Sequence, residues 1–280
     1  MRTIKPMLAK DSQVVPGQDY YWERKFDGVR IIAFVSGKEV YLQARSGTNK
    51  TDLFPELRIE TRKPAILDGE VTSQFGTFSA IQRRVNRMYD IDLAAQWLPT
   101  KFCVFDVLEI DGKSLEDEPL SLRKEALDSI LVPTNNTEPV AITEDAPTLW
   151  NTAIQEGWEG IMGKPKDGVY TQGKRKWIKT KIFQEAEFLA VGYTEGTGKR
   201  EKSFGALVLT KPTGEYVGQV GTGFDDWEID LLMQDMEKCE SPFKKDPCKF
   251  TPVKPFLVKI KFLEYSNDGI LRFPAYKERC

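Results

Sequence analysis

The segment Trp22–Ile31 places a lysine and an arginine close together inside a stretch that is otherwise largely apolar and aromatic. Its sequence, WERKFDGVRI, puts Asp27-Gly28 between Lys25 and Arg30. A lysine amine attacks phosphorus only when it is unprotonated, and nearby cations, partial burial or a metal favour the neutral form. Taken alone, a hairpin that carries a surface lysine is the better interpretation of this pattern. The rest of the chain decides whether the lysine is a nucleophile.

Further short motifs follow Lys25 along the chain. In order they are ARSG at 44–47, LDGEV at 67–71, FDV at 105–107, EGIMGK at 159–164, KWIKTK at 176–181 and LRFP at 271–274. The ordered series resembles the ATP-dependent DNA ligases, which belong to the covalent nucleotidyltransferases together with RNA ligases and mRNA capping enzymes. The resemblance extends over nearly the whole chain, from PMLA at 6–9 onward. One such motif is weak support, whereas a series in the right order is strong.

The resemblance implies a specific chemistry at Lys25. It implies that this lysine forms a covalent lysyl-AMP from ATP, with Mg²⁺ assisting, and that the protein seals a 5′-phosphate to a 3′-hydroxyl in nicked duplex DNA. Replication, repair and recombination all use such a reaction, and the motifs do not choose among them. The residues that match nucleotide-binding positions of the family are Glu23, Arg30, Arg45, Glu70, Phe105, Lys164, Lys179, Lys181 and Arg272.

Four of these matches concern the base, the ribose and the strand. Glu23 would contact the adenine base; it lies two positions before the lysine, so both side chains face the same side of an extended strand. A solvated strand carboxylate is the alternative. Arg30 and Arg45 would contact ribose, phosphate or the nicked strand, with ordinary surface pairing as the alternative. Phe105 would stack on adenine, and a core position is its alternative because FCVFDVL is so apolar.

The other matches concern the phosphates. Lys164, Lys179 and Lys181 would hold the α-phosphate and the rest of the triphosphate. Lys179 and Lys181 share a strand face, where two like charges are unfavourable without an anion. Trp177 shares that face, and core packing is its expected role. Arg272 would orient pyrophosphate while the second domain covers the nucleotide, before that domain rotates away about a hinge. A static core strand is the alternative for its segment.

Two carboxylates match the positions that would hold a metal ion. Glu70 in LDGEV and Glu159 in EGIMGK each adjoin a glycine. Two such carboxylates in one pocket hold Mg²⁺ directly or through water. The metal would neutralise phosphate charge during an in-line displacement. Asp68 is expected to be a turn residue before Gly69, and we leave it out of the site.

The pattern of strands and helices predicts an α+β protein of two domains. Residues 1–183 are expected to form a nucleotidyltransferase domain of antiparallel sheets with flanking helices. Within it, YYWERK and VRIIAFV are predicted to pair across Asp27-Gly28, which is a hairpin-type turn signal. Over residues 184–280, short strands with Gly or Pro turns and one helical stretch predict an OB-fold β-barrel.

Three single elements carry predictions that the structure tests. FSAIQRRVNRMYDIDLAAQW at 78–97 has helical apolar spacing. KFCVFDVLEI is predicted to be a central strand in which Phe105 and Val107 share a face. ILRFPAYK at 270–277 is predicted to be a short strand of the second domain.

Composition excludes several classes of chemistry. The chain has 280 residues and no histidine, which removes histidine acid–base catalysis, histidine metal ligands and Ser-His-Asp triads. Its four cysteines include no CxxC pair, so a zinc site is not expected. The sequence has no apolar run of membrane-spanning length and no N-terminal signal peptide. We therefore expect a cytoplasmic protein without a membrane segment, whose cysteines are free thiols.

The formal net charge is −2, yet the basic residues gather in separate stretches. Separated patches bind phosphate even when the total charge is near zero. We expect these clusters to contact the backbone phosphates of nicked duplex DNA, with a solvated surface as the alternative for each. The residues concerned are Arg83, Arg84, Arg87, Lys174, Arg175, Lys244 and Lys245.

Some positions depart from the usual family pattern. ARSG replaces the commoner Ser-Arg start, and Gly163 stands where related ligases often carry an aliphatic residue. The closing segment LRFPAYKERC lacks the fuller basic and acidic motif of larger ligases. Only 24 residues precede Lys25. The resemblance therefore implies a minimal, monomeric, ATP-using enzyme similar to phage or small bacterial accessory ligases.

Two rival functions remain open. The first is an RNA ligase or an mRNA-capping-type nucleotidyltransferase, which differs from a DNA ligase in the nucleic acid joined or in its use of GTP. The second is a non-catalytic OB module that binds single strands through stacking aromatics. This second function predicts no covalent nucleotide and leaves the first 182 residues unexplained.

Overall fold

The structure is a computed structural model that describes residues 2–12, 19–75, 78–266 and 268–280. It contains two compact units, Met1–Ile182 and Phe183–Cys280. Each unit has buried apolar cores of its own. Within the described ranges, no helix is both long enough and apolar enough to cross a bilayer.

The first unit is built mainly of strands. They are β1 (Leu8–Asp11), β2 (Tyr20–Arg24), β3 (Val29–Ser36), β4 (Glu39–Ala44), β5 (Glu60–Thr61), β6 (Ala65–Ser73), β7 (Thr100–Ile110), β8 (Lys113–Ser114), β9 (Leu131–Val132), β10 (Thr137–Pro139), β11 (Gly160–Pro165) and β12 (Arg175–Lys181). The helices are α1 (Phe78–Val85), α2 (Ile91–Trp97), α3 (Leu120–Ile130) and α4 (Ala146–Gln155).

Two sheets face each other in this unit. The strand order is β1-β12-β11-β2 in one sheet and β10-β7-β6-β3-β4 in the other, with β8 on β7. Trp177 from the first sheet and Ile32 and Phe105 from the second belong to the apolar core between them. Helix α4 covers the outer face of the first sheet, and α1 and α3 cover that of the second. The predicted α+β class is confirmed, although β1–β12 and β10–β7 pair in parallel.

Strand β3 shows why this arrangement suits the sequence. Ile31, Ala33 and Val35 pack into the core beneath the helices, whereas Ile32 and Phe34 pack toward the other sheet. A strand covered on both faces is apolar at nearly every position rather than at alternate ones. The run VRIIAFV therefore forms a central strand.

The predicted hairpin across Asp27-Gly28 is wrong. β2 pairs with β11, and β3 pairs with β4 and β6, so the segment between them crosses from one sheet to the other. A Cβ on Gly28 would lie 2.3 Å from the carbonyl oxygen of Val71, so this close crossing requires glycine. The crossing leaves Lys25 immediately beyond the end of β2, at the gap between the sheets.

The predicted turn at Asp68-Gly69 is also wrong. Both residues lie inside β6, which continues to Ser73. Gly69 passes close to β7, where a Cβ would lie 2.5 Å from Cε2 of Phe102. The glycine therefore leaves room for the Phe102 ring of the neighbouring paired strand and does not reverse the chain.

The pairing of β6 with β7 contains an irregularity at Phe105. Asp68 lies opposite Asp106, but Gly69 lies opposite Val104, so Phe105 is an extra residue in the ladder. Phe105 faces the other sheet, whereas Val107 packs into the core beneath the helices. The prediction that these two residues share a face is wrong, because a bulge interrupts the alternation of the strand.

The helical pattern over 78–97 forms two helices instead of one. α1 ends at Val85, and α2 begins at Ile91. Between them Asp90 adopts a left-handed conformation with φ of 54°, which aspartate tolerates better than most residues. The chain therefore bends where a single helix was indicated.

Arg84 lies on the buried face of α1. Its guanidinium pairs with Glu56 (Nη2–Oε2 2.8 Å), and its Cζ lies 5.6 Å from the centroid of the Phe54 ring. The neighbouring Arg83 is exposed. The prediction that Arg84 contacts DNA is wrong, because one step along a helix rotates a side chain by about 100°.

The second unit is a curved sheet with one helix among its described residues. Its elements are β13 (Gln184–Glu195), β14 (Phe204–Thr210), β15 (Tyr216–Val220), α5 (Asp226–Asp235), β16 (Thr251–Phe262) and β17 (Ala275–Arg279). The strand order is β15-β14-β13-β16-β17. The N–H of Leu271 donates to the carbonyl oxygen of Val217 (2.8 Å), which brings the segment before β17 against β15. The predicted OB fold is confirmed.

The strand predicted over 270–277 is wrong in its first half. β17 begins only at Ala275, and Phe273 has a φ of 51°. A non-glycine residue in the left-handed region ends regular extended structure. Arg272 therefore lies in the connection that precedes the strand.

Candidate active site

A cavity of about 330 Å³ lies in the first unit, at the gap between the sheets beside the end of β2. Its volume is within the range of small-molecule sites. Its lining consists of Pro6, Met7, Leu8, Ala9, Asp11, Glu23, Arg24, Lys25, Phe26, Arg30, Arg45, Glu70, Phe105, Met162, Lys164, Arg175, Trp177, Lys179 and Lys181. Cations outnumber carboxylates in this lining, which favours an anionic ligand. The structure thus brings together Lys25 and every first-unit residue predicted to bind the nucleotide.

Lys25 extends from the end of β2 into this cavity. Its backbone N–H donates to the carbonyl oxygen of Gly160 (3.0 Å), so β11 fixes its position. Its ammonium group donates to Oε2 of Glu159, and Oε1 of Glu159 lies 3.0 Å from Nζ of Lys181. One carboxylate therefore holds two lysines in place. The Lys25 side chain is 16% exposed, which leaves it accessible to a ligand.

Arg30 is held by Asp68 in a bidentate ion pair. Nε lies 2.5 Å from Oδ1 and Nη2 lies 2.6 Å from Oδ2. The Tyr170 hydroxyl donates to Oδ2 of Asp68 (2.5 Å) and accepts from the N–H of Met7 (2.9 Å). Burial would lower the pKa of Arg30, but Asp68 raises it above its ordinary value. Asp68, left out of the predicted site, therefore fixes a charged guanidinium at the cavity wall.

Glu23 is a buried carboxylate in the cavity wall, 1% exposed. Nζ of Lys164 lies 2.6 Å from Oε2, and Lys124 forms an ion pair with Oε1. Burial alone would raise the pKa of Glu23, but the two ammonium groups outweigh it and lower the pKa. Burial also lowers the pKa of Lys164 to about 8, although Glu23 opposes this shift. Glu23 is therefore an ionised group that accepts hydrogen bonds.

Two aromatic rings are among the apolar groups that line the cavity. Phe105 and Trp177 meet edge to face, with 5.9 Å between ring centroids. The Phe105 centroid lies 4.0 Å from Nζ of Lys164 and 4.3 Å from Cζ of Arg30. A base that stacks on Phe105 would therefore replace one of these cation–π contacts. Trp177 is buried between the sheets, in agreement with its expected packing role.

Glu70 and Glu159 are the carboxylates predicted to hold Mg²⁺. Burial raises the pKa of Glu70 to about 7; Arg30 and Lys25 oppose this shift, and Asp68 and Glu159 add to it. A desolvated carboxyl beside other carboxylates favours a bound divalent cation, which prefers oxygen ligands. Both oxygens of Glu159 contact lysines, so this residue reaches a metal only after one lysine moves. The residues fit a magnesium ion held by Glu70 together with phosphate oxygens.

The remaining cations of the lining come from several elements. Arg45 follows β4 and is exposed, and Arg175 begins β12. Lys179 pairs with Oδ1 of Asp11 at 3.4 Å. Lys179 and Lys181 share the cavity as predicted, but each already contacts a carboxylate. The anions that compensate these two lysines are thus carboxylates of the protein, so their proximity does not by itself indicate a bound ligand.

The other cations predicted to contact DNA lie elsewhere. Arg83 and Arg87 are exposed at the end of α1, and Lys174 is exposed just before β12. Lys244 and Lys245 are exposed in the second unit. All five are available to a large anionic partner, in contrast to Arg84.

Arg272 lies in the second unit. Its guanidinium pairs with Glu264, and its Cζ lies 5.6 Å from the Phe273 ring centroid. Its backbone N–H donates to the carbonyl oxygen of Glu264 (2.8 Å), and its carbonyl accepts from the N–H of Leu263 (3.0 Å). These contacts fix the connection in which Arg272 sits.

Sequence reasoning missed two buried cations of α3. Arg123 and Lys124 share the buried face of this helix with Leu120 and Leu127. Arg123 forms a bidentate pair with Asp106 (Nε–Oδ1 2.8 Å, Nη2–Oδ2 2.9 Å). The spacing i, i+3, i+4, i+7 identifies such a face, and a charge on it must be paired. That signal was present in the sequence.

Gly163 has a structural reason that the sequence did not show. A Cβ at this position would lie 2.7 Å from Cη2 of Trp22 and 2.8 Å from Cγ1 of Ile178. The indole ring fills the space that an aliphatic side chain would need. This departure from the family pattern leaves the cavity side of β11 unchanged.

Comparison with known protein families agrees with this geometry. Residues 6–181 match the family described as the ATP dependent DNA ligase domain. The chain belongs to the ATP-dependent DNA ligase family. A second match, to the ATP dependent DNA ligase C terminal region, covers residues 200–279. The family inferred from the ordered motifs is thereby confirmed.

The curated proteins of this family to which the chain is similar are longer than the chain. The multifunctional non-homologous end joining protein LigD of Mycolicibacterium smegmatis is 30% identical, over 97% of this chain and 38% of that protein. The DNA ligase of Methanothermobacter thermautotrophicus is 32% identical, over 99% of this chain and 56% of that protein. The chain thus spans between about two fifths and slightly more than half of these two proteins.

Solved structures of ligases share the fold. The ligase domain of LigD from M. tuberculosis has a TM-score of 0.56 and 25% identity, covering 99% of this chain and 95% of that chain. A structure of a Lig E DNA ligase, described as binding DNA with a minimal scaffold, has a TM-score of 0.70 and 22% identity. The match covers 98% of both chains, and this second likeness concerns the fold alone.

Proposed function

We propose that the protein is an ATP-dependent DNA ligase that seals nicks in duplex DNA through a covalent lysyl-AMP intermediate. The observation that carries the proposal is Lys25, which projects into a cavity whose lining has more cations than carboxylates. A nucleophilic lysine beside a phosphate-binding wall suits transfer of a nucleotidyl group. Membership of the ATP-dependent DNA ligase family supports the same nucleotide and the same nucleic acid.

The reaction has three steps. The unprotonated Nζ of Lys25 attacks the α-phosphorus of ATP, a phosphorus–nitrogen bond forms, pyrophosphate leaves, and Nζ loses a proton to give the neutral phosphoramidate. A 5′-phosphate oxygen of the nick then attacks the same phosphorus, which moves AMP onto DNA and frees the lysine. Finally the 3′-hydroxyl attacks the 5′-phosphorus, loses its proton, and forms the phosphodiester as AMP leaves.

The cavity residues bind different parts of the nucleotide. Glu23 and Phe105 contact the adenine base. The ribose and phosphates are held by Arg30, Arg45, Lys164, Lys179 and Lys181. Asp68 fixes the Arg30 guanidinium before any ligand arrives, so this positive group needs no reorganisation as phosphate charge develops. Glu159 positions the Lys25 amine at the same wall.

Magnesium, when bound, neutralises phosphate charge and stabilises the departing pyrophosphate. The observed carboxylates support Glu70 as a ligand, with Glu159 available once Lys25 no longer occupies it. Mg²⁺ usually keeps several waters and takes only one or two protein carboxylates. The site therefore needs no larger acidic cluster.

Nicked duplex DNA is held through its phosphates. The exposed cations that support this contact are Arg83, Arg87, Lys174, Arg175, Lys244 and Lys245. Such contacts position a duplex without reading its sequence, and they weaken steeply as salt concentration rises. Binding to nicked duplex that is insensitive to salt would contradict this assignment.

The two parts of the chain divide this work. Residues 1–183 form the nucleotidyltransferase domain, and residues 184–280 form the OB-fold domain, which supplies Arg272 to the pyrophosphate. The protein is proposed to act as a monomer. The OB fold supports nucleic-acid binding by the second domain.

The first experiment measures the covalent intermediate. The protein is incubated with α-labelled ATP and Mg²⁺ after pyrophosphate treatment to remove any bound AMP, and label that survives denaturation is quantified. We expect label on the wild type and on Lys38→Ala, a control in the exposed turn before β4, and none on Lys25→Ala. Wild type without label would overturn the proposal.

The same protein then distinguishes the rival nucleotidyltransferases. Sealing of nicked DNA in preference to nicked RNA, with ATP in preference to GTP, is the expected result. Preference for nicked RNA would indicate an RNA ligase, and covalent GMP would indicate a capping-type enzyme. A non-catalytic OB module would give neither label nor sealing.

A further inference from the structure

A buried charged triad connects the cavity to helix α3. Glu23 on β2 forms ion pairs with Lys164 on β11 and with Lys124 on α3. Glu23 lies opposite Met162 in the pairing of β2 with β11, so Lys164, two positions further on, is its diagonal neighbour on the same face. The Lys124 side chain is 7% exposed, so these three charges lie almost wholly away from water.

Only part of this triad faces the ligand space. Of the described residues that line the cavity, Glu23 and Lys164 are two, whereas Lys124 is not one of them. Lys124 therefore acts on a ligand indirectly, through the Glu23 carboxylate that it pairs with and through its repulsion of Lys164. A buried ion pair contributes little net stability compared with apolar residues of similar volume, so the triad needs an explanation beyond folding.

Two elements place charged groups against the Glu23 carboxylate. The charges that face it come from α3 through Lys124 and from β11 through Lys164. Asp106 on β7 also acts on Lys164, but its carboxylate is taken by the bidentate pair with Arg123. Glu23 is therefore compensated by two cations, Lys124 at Oε1 and Lys164 at Oε2.

We propose that Lys124 is a positioning residue that keeps Glu23 ionised and correctly oriented toward the C6 amine of the adenine base, which the proposed function already places against Glu23. An ionised carboxylate only accepts hydrogen bonds. Adenine presents a donor at C6, whereas guanine presents a carbonyl oxygen that would face the carboxylate acceptor to acceptor. The inference rests on the proposed function, because it requires a nucleotide in this cavity.

The test compares two nucleotides on the full chain. One is ATP and the other is the purine ribonucleoside triphosphate that lacks the C6 amine. The rate of covalent lysyl-nucleotide formation is measured with each at low concentration, from pH 5.5 to pH 8. The ratio of the two rates cancels every pH effect on the Lys25 reaction itself, and it isolates recognition of the amine.

Wild type is expected to prefer ATP by roughly 10- to 100-fold, the value of a hydrogen bond to a charged group. This preference should stay constant over the pH range, because two cations lower the pKa of Glu23. In Lys124→Met the carboxylate stays buried but loses one cation, so its pKa rises. The preference of that variant should therefore fall toward one as the pH falls, and Lys124→Arg should restore it.

Two further variants keep the test decisive. Glu23→Gln should reduce the preference by a similar factor at every pH, since an amide neither titrates nor acts only as an acceptor. Its result carries the test if Lys124→Met does not fold, which urea unfolding would reveal. Lys113→Met, on the exposed strand β8, is the control that should behave as wild type.

Several outcomes would overturn the inference. A wild type that uses both nucleotides equally would show that Glu23 does not read the amine. A folded Lys124→Met protein with the wild-type preference at every pH would reduce Lys124 to a packing role. Either result leaves the ligase proposal standing, whereas a wild type that is labelled by neither nucleotide would defeat both.

Discussion

At the residue scale, two adjacent arginines of α1 differ in what their charge does: Arg84 is buried in an ion pair, and Arg83 is exposed. Arg84→Met is expected to destabilise the protein by about 3 kcal/mol, because it leaves the half-buried carboxylate of Glu56 without its cation. The exposed neighbour provides the control: Arg83→Met should change the free energy of unfolding by less than about 0.5 kcal/mol. Urea denaturation of both variants measures this difference.

The same two variants also test the proposed DNA contact, for which the exposed arginine is the one expected to matter. Arg83→Met should weaken binding to nicked duplex and reduce its salt dependence, because a phosphate contact is lost. Arg84→Met should bind with unchanged affinity under conditions in which it is folded. If a fully stable Arg84→Met protein lost DNA affinity, Arg84 would have to be counted among the residues that contact DNA.

Lys164 gives a pH dependence whose sign follows from its burial. Its pKa is lowered from 10.5 in the unfolded chain to about 8 in the fold. Between these values the unfolded chain binds more protons than the native protein, so the contribution of Lys164 to stability rises with pH. That contribution is complete above 10.5 and is lost as the pH falls through about 8.

This shift predicts a differential measurement against Lys164→Met. The free energy of unfolding of the wild type, relative to the variant, should increase by about 2 kcal/mol between pH 8 and pH 9.5, at about 1.4 kcal/mol per pH unit. Urea unfolding of both proteins at these pH values gives the difference. A difference independent of pH would mean that Lys164 titrates in the fold as it does in the unfolded chain.

At the element scale, the crossing from β2 to β3 determines where Lys25 lies. Gly28→Ala would place a methyl group 2.3 Å from the carbonyl oxygen of Val71, so the crossing segment must shift. We expect a loss of about 1–3 kcal/mol in stability together with strongly reduced lysyl-AMP formation. The measurements are urea unfolding and covalent labelling.

Gly37→Ala is the matched control for this prediction. Gly37 also has a restricted backbone, with φ of +61°, but nothing lies within 4 Å of the added Cβ. That variant should lose about 1–2 kcal/mol from the left-handed conformation alone and retain its labelling per folded molecule. Equal labelling of the two folded variants would show that the Gly28 crossing does not position the lysine.

At the scale of the whole molecule, the proposed role of Arg272 concerns only the step in which ATP reacts with Lys25. Arg272→Ala is expected to slow lysyl-AMP formation from ATP by about 10²- to 10³-fold, the usual effect of removing one charged donor to a developing anion. It should still seal a nick that already carries AMP on its 5′-phosphate. Single-turnover assays with ATP and with pre-adenylylated DNA measure the two steps separately.

Arg279→Ala is the control for that prediction. Arg279 lies in the same unit on β17 and pairs with Asp235 (2.8 Å) near the surface. Both steps should proceed at the wild-type rate in this variant. Equal slowing of both steps by Arg272→Ala would assign Arg272 to folding or DNA binding, and unchanged rates would remove it from the mechanism.

Some of this protein was determined by its sequence alone. The ordered motifs identified the family and the side chains that share a cavity with Lys25, and they predict that this lysine is the nucleophile. Local patterns predicted β3, β7 and most strands of the second unit, because the alternation and apolar character of a strand are properties of neighbouring residues. Five of the cations predicted to contact DNA are exposed, as such a contact requires, and the contact itself stays a prediction.

Only the tertiary structure decided which strands meet. β2 pairs with β11, which lies far along the chain, instead of with β3 next to it. No local pattern reports such a pairing, and an Asp-Gly step is compatible with a hairpin, a crossing or the middle of a strand. The register shift opposite Phe105 depends on the same long-range contact.

The tertiary structure also decided what each charge does. Arg83 and Arg84 are identical in type and adjacent in sequence, yet one is exposed and the other pairs with Glu56 inside the fold. A buried charge is tolerated only where a group of opposite charge or a hydrogen-bond partner lies beside it. For Arg84 that partner, Glu56, comes from outside its helix. The sequence predicted that Glu23 belongs to the site, but only the tertiary structure shows that Lys124 pairs with it.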